Sequence, residues 1–166
     1  MTVEIGPPER LTQINLRVDP AGAGPVGEAL GIRLPTDPNT FTVAQWARWA
    51  LWLGPDEWLL VAPPAAGFFD EAKVRAALGD RPGSVVDVSA QRLDVIVHGP
   101  GARDLLAHAC ALDLHPTQFP VGKCAQTLVA QVQVILWHPA EDSYHLLTRL
   151  SYVEHLLAWL RDATLA

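Results

Sequence analysis

The stretch from Ser84 to Leu114, SVVDVSAQRLDVIVHGPGARDLLAHACALDL, limits the possible folds more than any other. It reads as a strand, a turn, a second strand, a Gly-Pro-Gly corner and a helix. Val86 and Val88 alternate with Asp87 and Ser89, the period of a half-buried strand. Val95, Ile96 and Val97 supply a second β-branched run. Pro100 cannot continue a strand ladder but suits the first turn of a helix. After it, Ala102, Leu105, Leu106, Ala109 and Leu112 share one helical face, and Asp104 and His108 lie opposite.

The rest of the chain reads as partners for this unit. Residues 1–12, with Pro7 and Pro8, read as a loose leader. Gln13 to Val18 alternates as a one-sided strand. Val26 to Leu30 is a short helix that Gly31 caps. Pro35 to Asn39 is a turn. Trp46 to Leu53 fits a helix or a strand. A strand is preferred, because Gly54-Pro55-Asp56-Glu57 turns straight into the apolar run Trp58 to Val61. Asp70 N-caps a helix to Leu78, with Phe69 and Val74 spaced as a staple and Gly79 following. Arg81 to Gly83 is a linker. Beyond the loop His115–Gly122, Thr127 to Leu136 alternates as one strand. Pro139 to Asp142 turns the chain, and Ser143 to Leu150 returns. Ser151 and Glu154 have capping-box spacing before a helix striped by Val153, Leu156, Leu157 and Leu160.

The halves match. Leu16–Val18 corresponds to Val95–Val97, LGIRLP at 30–35 to LDLHP at 112–116, and the hairpin at 51–61 to that at 135–147. A strand–helix–hairpin–helix unit is therefore written twice, in one domain of two halves, about 13–80 and 84–163. Each antiparallel sheet hides one face under helices, which is α+β layering. A doubly wound parallel sheet would want a helix after most strands.

A formal net charge of −6 argues against a nucleic-acid partner, which needs clustered Lys and Arg. No apolar run reaches the roughly 20 residues of a membrane helix, so no membrane partner is expected. MTVEIGPPER lacks the basic and apolar blocks of a signal peptide. Two cysteines, Cys110 and Cys124, are too few for a disulfide framework, which makes the cytoplasm the expected location.

Chemistry has few footholds. Gly99-Pro100-Gly101 precedes a helix whose amides could hold an anion, but Pro100 removes one amide, and a structural corner is the better reading. Gly122-Lys123-Cys124 lacks the upstream glycine frame of a phosphate loop. His108, Cys110, His115 and Cys124 lack the paired spacing of a zinc site, so isolated histidines and a packed cysteine are expected. Asp56/Glu57 and Glu141/Asp142 sit in turns, their ordinary home. Asp87 is unusual inside an apolar strand; it faces a partner or answers a buried donor. As a strand, 46–53 puts Trp46, Arg48 and Trp52 on one face, the chemistry of an interface centre, and Trp49, Leu51 and Leu53 in the core. No catalytic, cofactor or metal residue is expected.

Asp87-Val88-Ser89, Leu93-Asp94-Val95, His98-Gly99-Pro100-Gly101-Ala102 and Leu105-Leu106 together resemble the folate-binding aminomethyltransferase family, which includes the T-protein of glycine cleavage. With the hairpin Leu53–Leu60, the segment Gly122–Thr127 and the ending Tyr152–Leu160, the chain more closely resembles the gamma-subunit family of heterotetrameric sarcosine oxidase. The resemblance spans about residues 13–163. It implies an α+β fold like the first T-protein domain. It also implies a non-catalytic role beside alpha, beta and delta subunits in an enzyme that oxidatively demethylates sarcosine to glycine. FAD, FMN, NAD, tetrahydrofolate and zinc are then expected on those partner subunits. A stand-alone folate-binding protein is the alternative. The segment Leu147–Trp159 holds neither the Asn-rich loop nor the Asp of T-proteins, which argues against folate chemistry here. Lys123 and Cys124 fall near the K-G-C-x-x-G-Q-E motif of the iron–sulfur assembly branch, but the residues after them do not complete it.

Overall fold

The computed structural model of the chain describes residues 2–64 and 67–165. Its elements in order are β1 (Glu4–Ile5), β2 (Thr12–Val18), α1 (Ala23–Leu30), β3 (Phe41–Ala44), β4 (Arg48–Gly54), β5 (Glu57–Ala62), α2 (Glu71–Leu78) and β6 (Gly83–Asp87). Then follow β7 (Arg92–His98), α3 (Ala102–Ala107), β8 (Cys124–Val129), β9 (Val132–Ala140), β10 (Ser143–Arg149) and α4 (Val153–Ala163). The chain divides into two units, Arg10–Ala90 and Met1–Glu9 with Gln91–Ala166. Each carries its own five-stranded antiparallel sheet, ordered β3-β4-β5-β2-β6 and β1-β7-β10-β9-β8. The second order, reversed, places β8, β9, β10, β7 and β1 where the first has β3, β4, β5, β2 and β6. The duplicated α+β architecture is present, with five strands in each sheet against the three of the strand–helix–hairpin–helix pattern.

In the Arg10–Ala90 unit, Ile14 faces Leu60, and Leu16 faces Trp58 on one side and Val85 on the other. These side chains pack with Val26, Val74 and Leu78 of the two helices. Trp58 is fully buried, and its indole Nε1 donates to the Pro35 carbonyl at 2.8 Å. Burying that N–H without an acceptor would cost roughly 1–3 kcal/mol, so the bond fixes the loop over the sheet. Gly31 ends α1 at φ 65°, and the Asp70 carboxylate caps α2 by accepting from Lys73 N at 2.7 Å. That bond holds the Asp70 carboxyl below its ordinary range.

Several expectations change here. Gly83–Asp87, expected to open the second half, pairs with β2 and completes the first sheet. Phe41–Ala44, taken as a connection, is the edge strand β3. Trp46 and Ala47 are not strand residues: at φ 67° and 54° they lie, after Gln45, in the three-residue turn between Ala44 of β3 and its partner Arg48 of β4. Left-handed conformation at both positions matches the twist of a tight hairpin, and Trp-Ala gives no Gly or Asn signal for it. Ala50, rather than Trp49 and Leu53, is the β4 residue packed under the helices.

In the other unit, Val95 and Val97 face Leu146 and Tyr144, and pack with Leu105, Leu106, Leu156, Leu157 and Leu160. The expected strand Thr127–Leu136 is two strands, turned at Ala130 and Gln131 (φ 49° and 65°). The turn pairs Val129 with Val132 and Leu128 with Gln133, so Leu128 lies on the face opposite Val132, Val134 and Leu136, although the sequence reads as one continuous alternation. α3 stops at Ala107, short of Leu112, because Cys110 leaves to bridge Val129. α4 begins at Val153 with no side-chain cap; Ser151 lies in a preceding 3-10 turn.

The expected loose leader, whose Met1 lies outside the described residues, is ordered. Glu4 and Ile5 pair with His98 and Val97, and Glu9 bridges Asp94. The Gly99–Gly101 corner is structural: Gly101 N donates to Thr2 O at 3.3 Å. Gly99 sits at φ 111°, and a Cβ there would lie 2.6 Å from Thr2 O. Gly122 has φ 96° with nothing within 4 Å of such a Cβ. Gly122→Ala therefore costs backbone strain alone, about 1–3 kcal/mol. Gly99→Ala costs more and loosens residues 2–6. Urea unfolding and amide exchange at Gly6, which donates to Ile96 O, read both effects; equal losses at the two glycines would refute the close-packing account.

Candidate functional site

The sheet of the Gln91–Ala166 unit has one face on its helices and a second face carrying most of its unusual polar groups. Register fixes two rungs across that second face. The first is Ile96, His145, Trp137 and Cys124. The second is Asp94, Leu147, Ile135 and Gln126. Beyond the second rung, Arg92 pairs with Arg149 and Gln133 with Leu128, and the four line one cleft.

Asp94 is 1% exposed in the middle of an apolar strand. His145 Nδ1 donates to Asp94 Oδ2 at 2.7 Å, and the imidazole stacks on Trp137 at 4.5 Å between ring centroids. This is the orienting half of a hydrolytic triad, a carboxylate fixing an imidazole. The sulfur on the same rung is Cys124, fully buried on β8. A nucleophile needs a reachable thiolate, so this arrangement locks a ring rather than activating an attack. A second stack, Phe119–His138–Tyr144, lies in the same unit. There His138 Nδ1 donates to Phe119 O at 3.2 Å. Burial pushes the Tyr144 hydroxyl up, with Arg103 opposing.

The residues singled out in the sequence fall elsewhere. Asp87 ends its strand and accepts from Ser89 N at 2.8 Å and Ser89 Oγ at 2.6 Å; the Ser89 hydroxyl in turn accepts from Gln13 N at 2.9 Å. The Asp-Val-Ser run is thus a clasp between β6 and β2. His108 and His115 are exposed, and their Nδ1 atoms are engaged by Asp104 O and Thr117 Oγ1. Among the described residues, no three His, Cys, Asp or Glu side chains gather as a metal site. Burial raises the Cys110 thiol.

Trp46, Arg48 and Trp52 do not share a strand face. Trp46 projects from its turn, 71% exposed, with Val43 of the edge strand 64% exposed. Arg48 turns inward: its guanidinium reaches the Leu30 carbonyl at 3.2 Å and lies over the Phe68 ring at 5.2 Å. There it answers the carbonyl end of α1. Trp52 is half-buried opposite Trp58. Asp94 is the residue that sequence reasoning passed over, although Arg92–His98 carries the same signal as Asp87, a carboxylate inside an apolar run.

A solved structure with the same fold is the aminomethyltransferase T of glycine cleavage from Bartonella henselae. It matches 95% of this chain and 45% of its own length at 16% identity, with a TM-score of 0.69. That likeness defines an aminomethyltransferase-like fold. The family model described as "Sarcosine oxidase, gamma subunit family" matches residues 16–166, and the chain belongs to that family. The sarcosine oxidase subunit gamma of an Arthrobacter species is 40% identical over 92% of this chain and 75% of its own length. A chain of the heterotetrameric sarcosine oxidase from Corynebacterium sp. U-96, solved with pyrrole 2-carboxylate, matches 97% of this chain and 83% of its own. Its identity is 36% and its TM-score 0.89.

Two outcomes test the reading of the second face. Asp94→Ala strands the His145 Nδ1–H and lowers unfolding stability by about 1–3 kcal/mol, with a change in tryptophan emission from Trp137; an unchanged midpoint would mean the pair is idle. Neither Cys110 nor Cys124 is alkylated by iodoacetamide in the folded chain near neutral pH, and both are in urea. Rapid labelling of the native Cys124 would show a reachable thiol instead.

Proposed function

We propose that this chain is the gamma subunit of a sarcosine oxidase and works there as a non-catalytic companion in the oxidative demethylation of sarcosine to glycine. The observation that carries the reading is the likeness, over 97% of the chain, to a chain of a heterotetrameric sarcosine oxidase. In this reading the alpha, beta and delta subunits are its partners and hold FAD, FMN, NAD, tetrahydrofolate and zinc. The cytoplasm is the place of assembly. Supporting it, among the described residues no helix is long and apolar enough to cross a membrane, and both cysteines are free thiols. The polar groups most suited to chemistry, Asp94 and His145, are spent on each other inside the fold.

Trp46 is the proposed contact with the larger subunits. A large aromatic held outside the core on a rigid turn has the character of an interface anchor, and a bulky residue at positive φ is kept there against backbone strain. Arg48 and Trp52 support the hairpin from behind.

Co-expression with tagged alpha, beta and delta subunits tests both statements. The wild-type chain is retained on the tag, whereas the chain purified alone is colourless and does not oxidise sarcosine. Trp46→Ser leaves its melting curve intact and weakens capture by about 2 kcal/mol or more. A flavin spectrum or sarcosine turnover from the isolated chain would overturn the companion role. Full capture of Trp46→Ser would move the interface elsewhere. Saturable micromolar binding of tetrahydrofolate to the isolated chain would favour the stand-alone folate protein.

A further inference from the structure

Each sheet has two edge strands: β3 and β6 in the Arg10–Ala90 unit, β1 and β8 in the other. An edge strand turns a row of N–H and C=O groups away from its sheet, and proteins commonly cover or blunt such a row. β1 is two residues long. β8 receives Ala111 N on Leu128 O at 3.0 Å, and just beyond it Ala130 N donates to Ala109 O at 3.1 Å. On β6 the Arg75 guanidinium donates to Val85 O at 3.0 Å. β3 has no such cover among the described residues.

The register shows which β3 groups are open. Phe41 pairs with Leu51, Thr42 with Ala50, Val43 with Trp49 and Ala44 with Arg48. Just before the strand, Trp52 N donates to Thr40 O at 3.0 Å. Antiparallel pairs alternate between hydrogen-bonded and non-hydrogen-bonded. The ladder bonds therefore fall at Thr40, Thr42 and Ala44, while Phe41 and Val43 point their N–H and C=O outward. Among the described residues, no main-chain or side-chain group answers them.

The edge is also shaped for a strand. No residue from Asn39 to Ala47 is charged or a proline. Charge and proline are the usual devices that repel an incoming strand. Val43 is 64% exposed, and Trp46, in the turn that follows, 71%. β3 is held from its other sides: β4 pairs along its length, and the Thr42 hydroxyl donates to the Arg33 carbonyl. A fixed, uncharged edge with open groups two residues apart is complementary to an extended main chain.

We propose that a partner subunit lays an extended segment along β3 and adds a strand to the β3-β4-β5-β2-β6 sheet. Phe41 and Val43 supply the main-chain bonds, an apolar residue of the segment packs on Val43, and Trp46 packs at its end. The four residues of β3 make too short a ladder for two copies of this chain to hold each other. A foreign segment that runs on past Trp46 gains further area. The inference rests on the companion-subunit reading and gives the Trp46 contact its mode.

Hydrogen exchange reads main-chain pairing directly. In the isolated chain the Phe41 and Val43 amides exchange fast; in the complex captured on tagged alpha, beta and delta subunits they are protected by about tenfold or more. Val43→Pro removes one outward N–H and no ladder bond within the chain, a position where edge strands tolerate proline. It melts near wild type and loses about tenfold or more in capture. Val43→Thr keeps both the N–H and the β-branch and is captured like wild type. If Val43→Pro does not fold, the exchange comparison on the wild-type chain decides alone. Capture of the wild-type chain with both amides unprotected overturns the proposal and leaves the companion reading standing, as does full capture of a folded Val43→Pro. Protection already present in the isolated chain and lost on dilution assigns the edge to a second copy and overturns the proposal too. A wild-type chain that is not captured defeats the companion reading and this proposal with it.

Discussion

The pairing of residues 2–9 along β7 is the contact on which the Gln91–Ala166 unit depends. Without it β7 would be an open edge, with its N–H and C=O groups unpaired and its apolar residues bare on one side. With it, Ile5 adds to the core, Gly6 N reaches Ile96 O, and Thr2 O occupies the amide of Gly101. The same contact dictates the glycine at 99, since any side chain there would strike the Thr2 carbonyl. The edge segment 2–9 thus explains the corner, the start of α3 and the placement of Asp94, whose backbone is held by Glu9 in an isolated bridge beyond β1.

Many polar groups in both units are answered locally, while Asp94 Oδ1, His138 Nε2 and Thr148 Oγ1 are buried with no hydrogen-bond partner among the described residues. Trp58 donates to a loop carbonyl, Ser89 ties Asp87 to β2, His145 answers Asp94, and His138 donates to Phe119 O. The bonds of Trp58, Asp94 and His138 are buried and remove a desolvation cost that would otherwise weigh on a fold of this size. Each also uses up a group that elsewhere does chemistry. The Asp–His pair is the clearest case: the geometry of an activated base is present, and Trp137 stacked on its ring turns it into packing.

Much of this was legible in the sequence wherever a residue carried its own instruction. Asp70 and Gly79 marked α2, Gly31 ended α1, the alternation in β2 gave a strand and its face, and the apolar run of β5 and the return after the Pro139–Asp142 turn gave strands, because local chemistry decided each. The misses share a cause. Trp46-Ala47 and Ala130-Gln131 turn the chain without glycine or asparagine, held in left-handed conformation by the strands they join, so the signal lay in the pairing and not in the turn. β3 and β1 are too short to show a period. Ser151 had cap spacing, but a 3-10 turn took its place. Asp87 and Asp94 looked alike in sequence, and only the register showed one at a strand end beside Ser89 and the other sealed against His145. The turn Gln45–Ala47 removed Trp46 from the strand, while Arg48 and Trp52 share the strand face of Ala50, which packs under the helices.

The division of the chain has a temporal side. The Arg10–Ala90 unit is continuous in sequence and sits, as an insertion, between an edge strand and the remainder of the sheet that strand belongs to. On a ribosome, residues 2–9 emerge before the inserted unit and find β7 only after that whole unit has been made. Domains made early tend to fold as units while synthesis continues. The inserted unit can therefore close on itself while residues 2–9 wait as an unpaired arm.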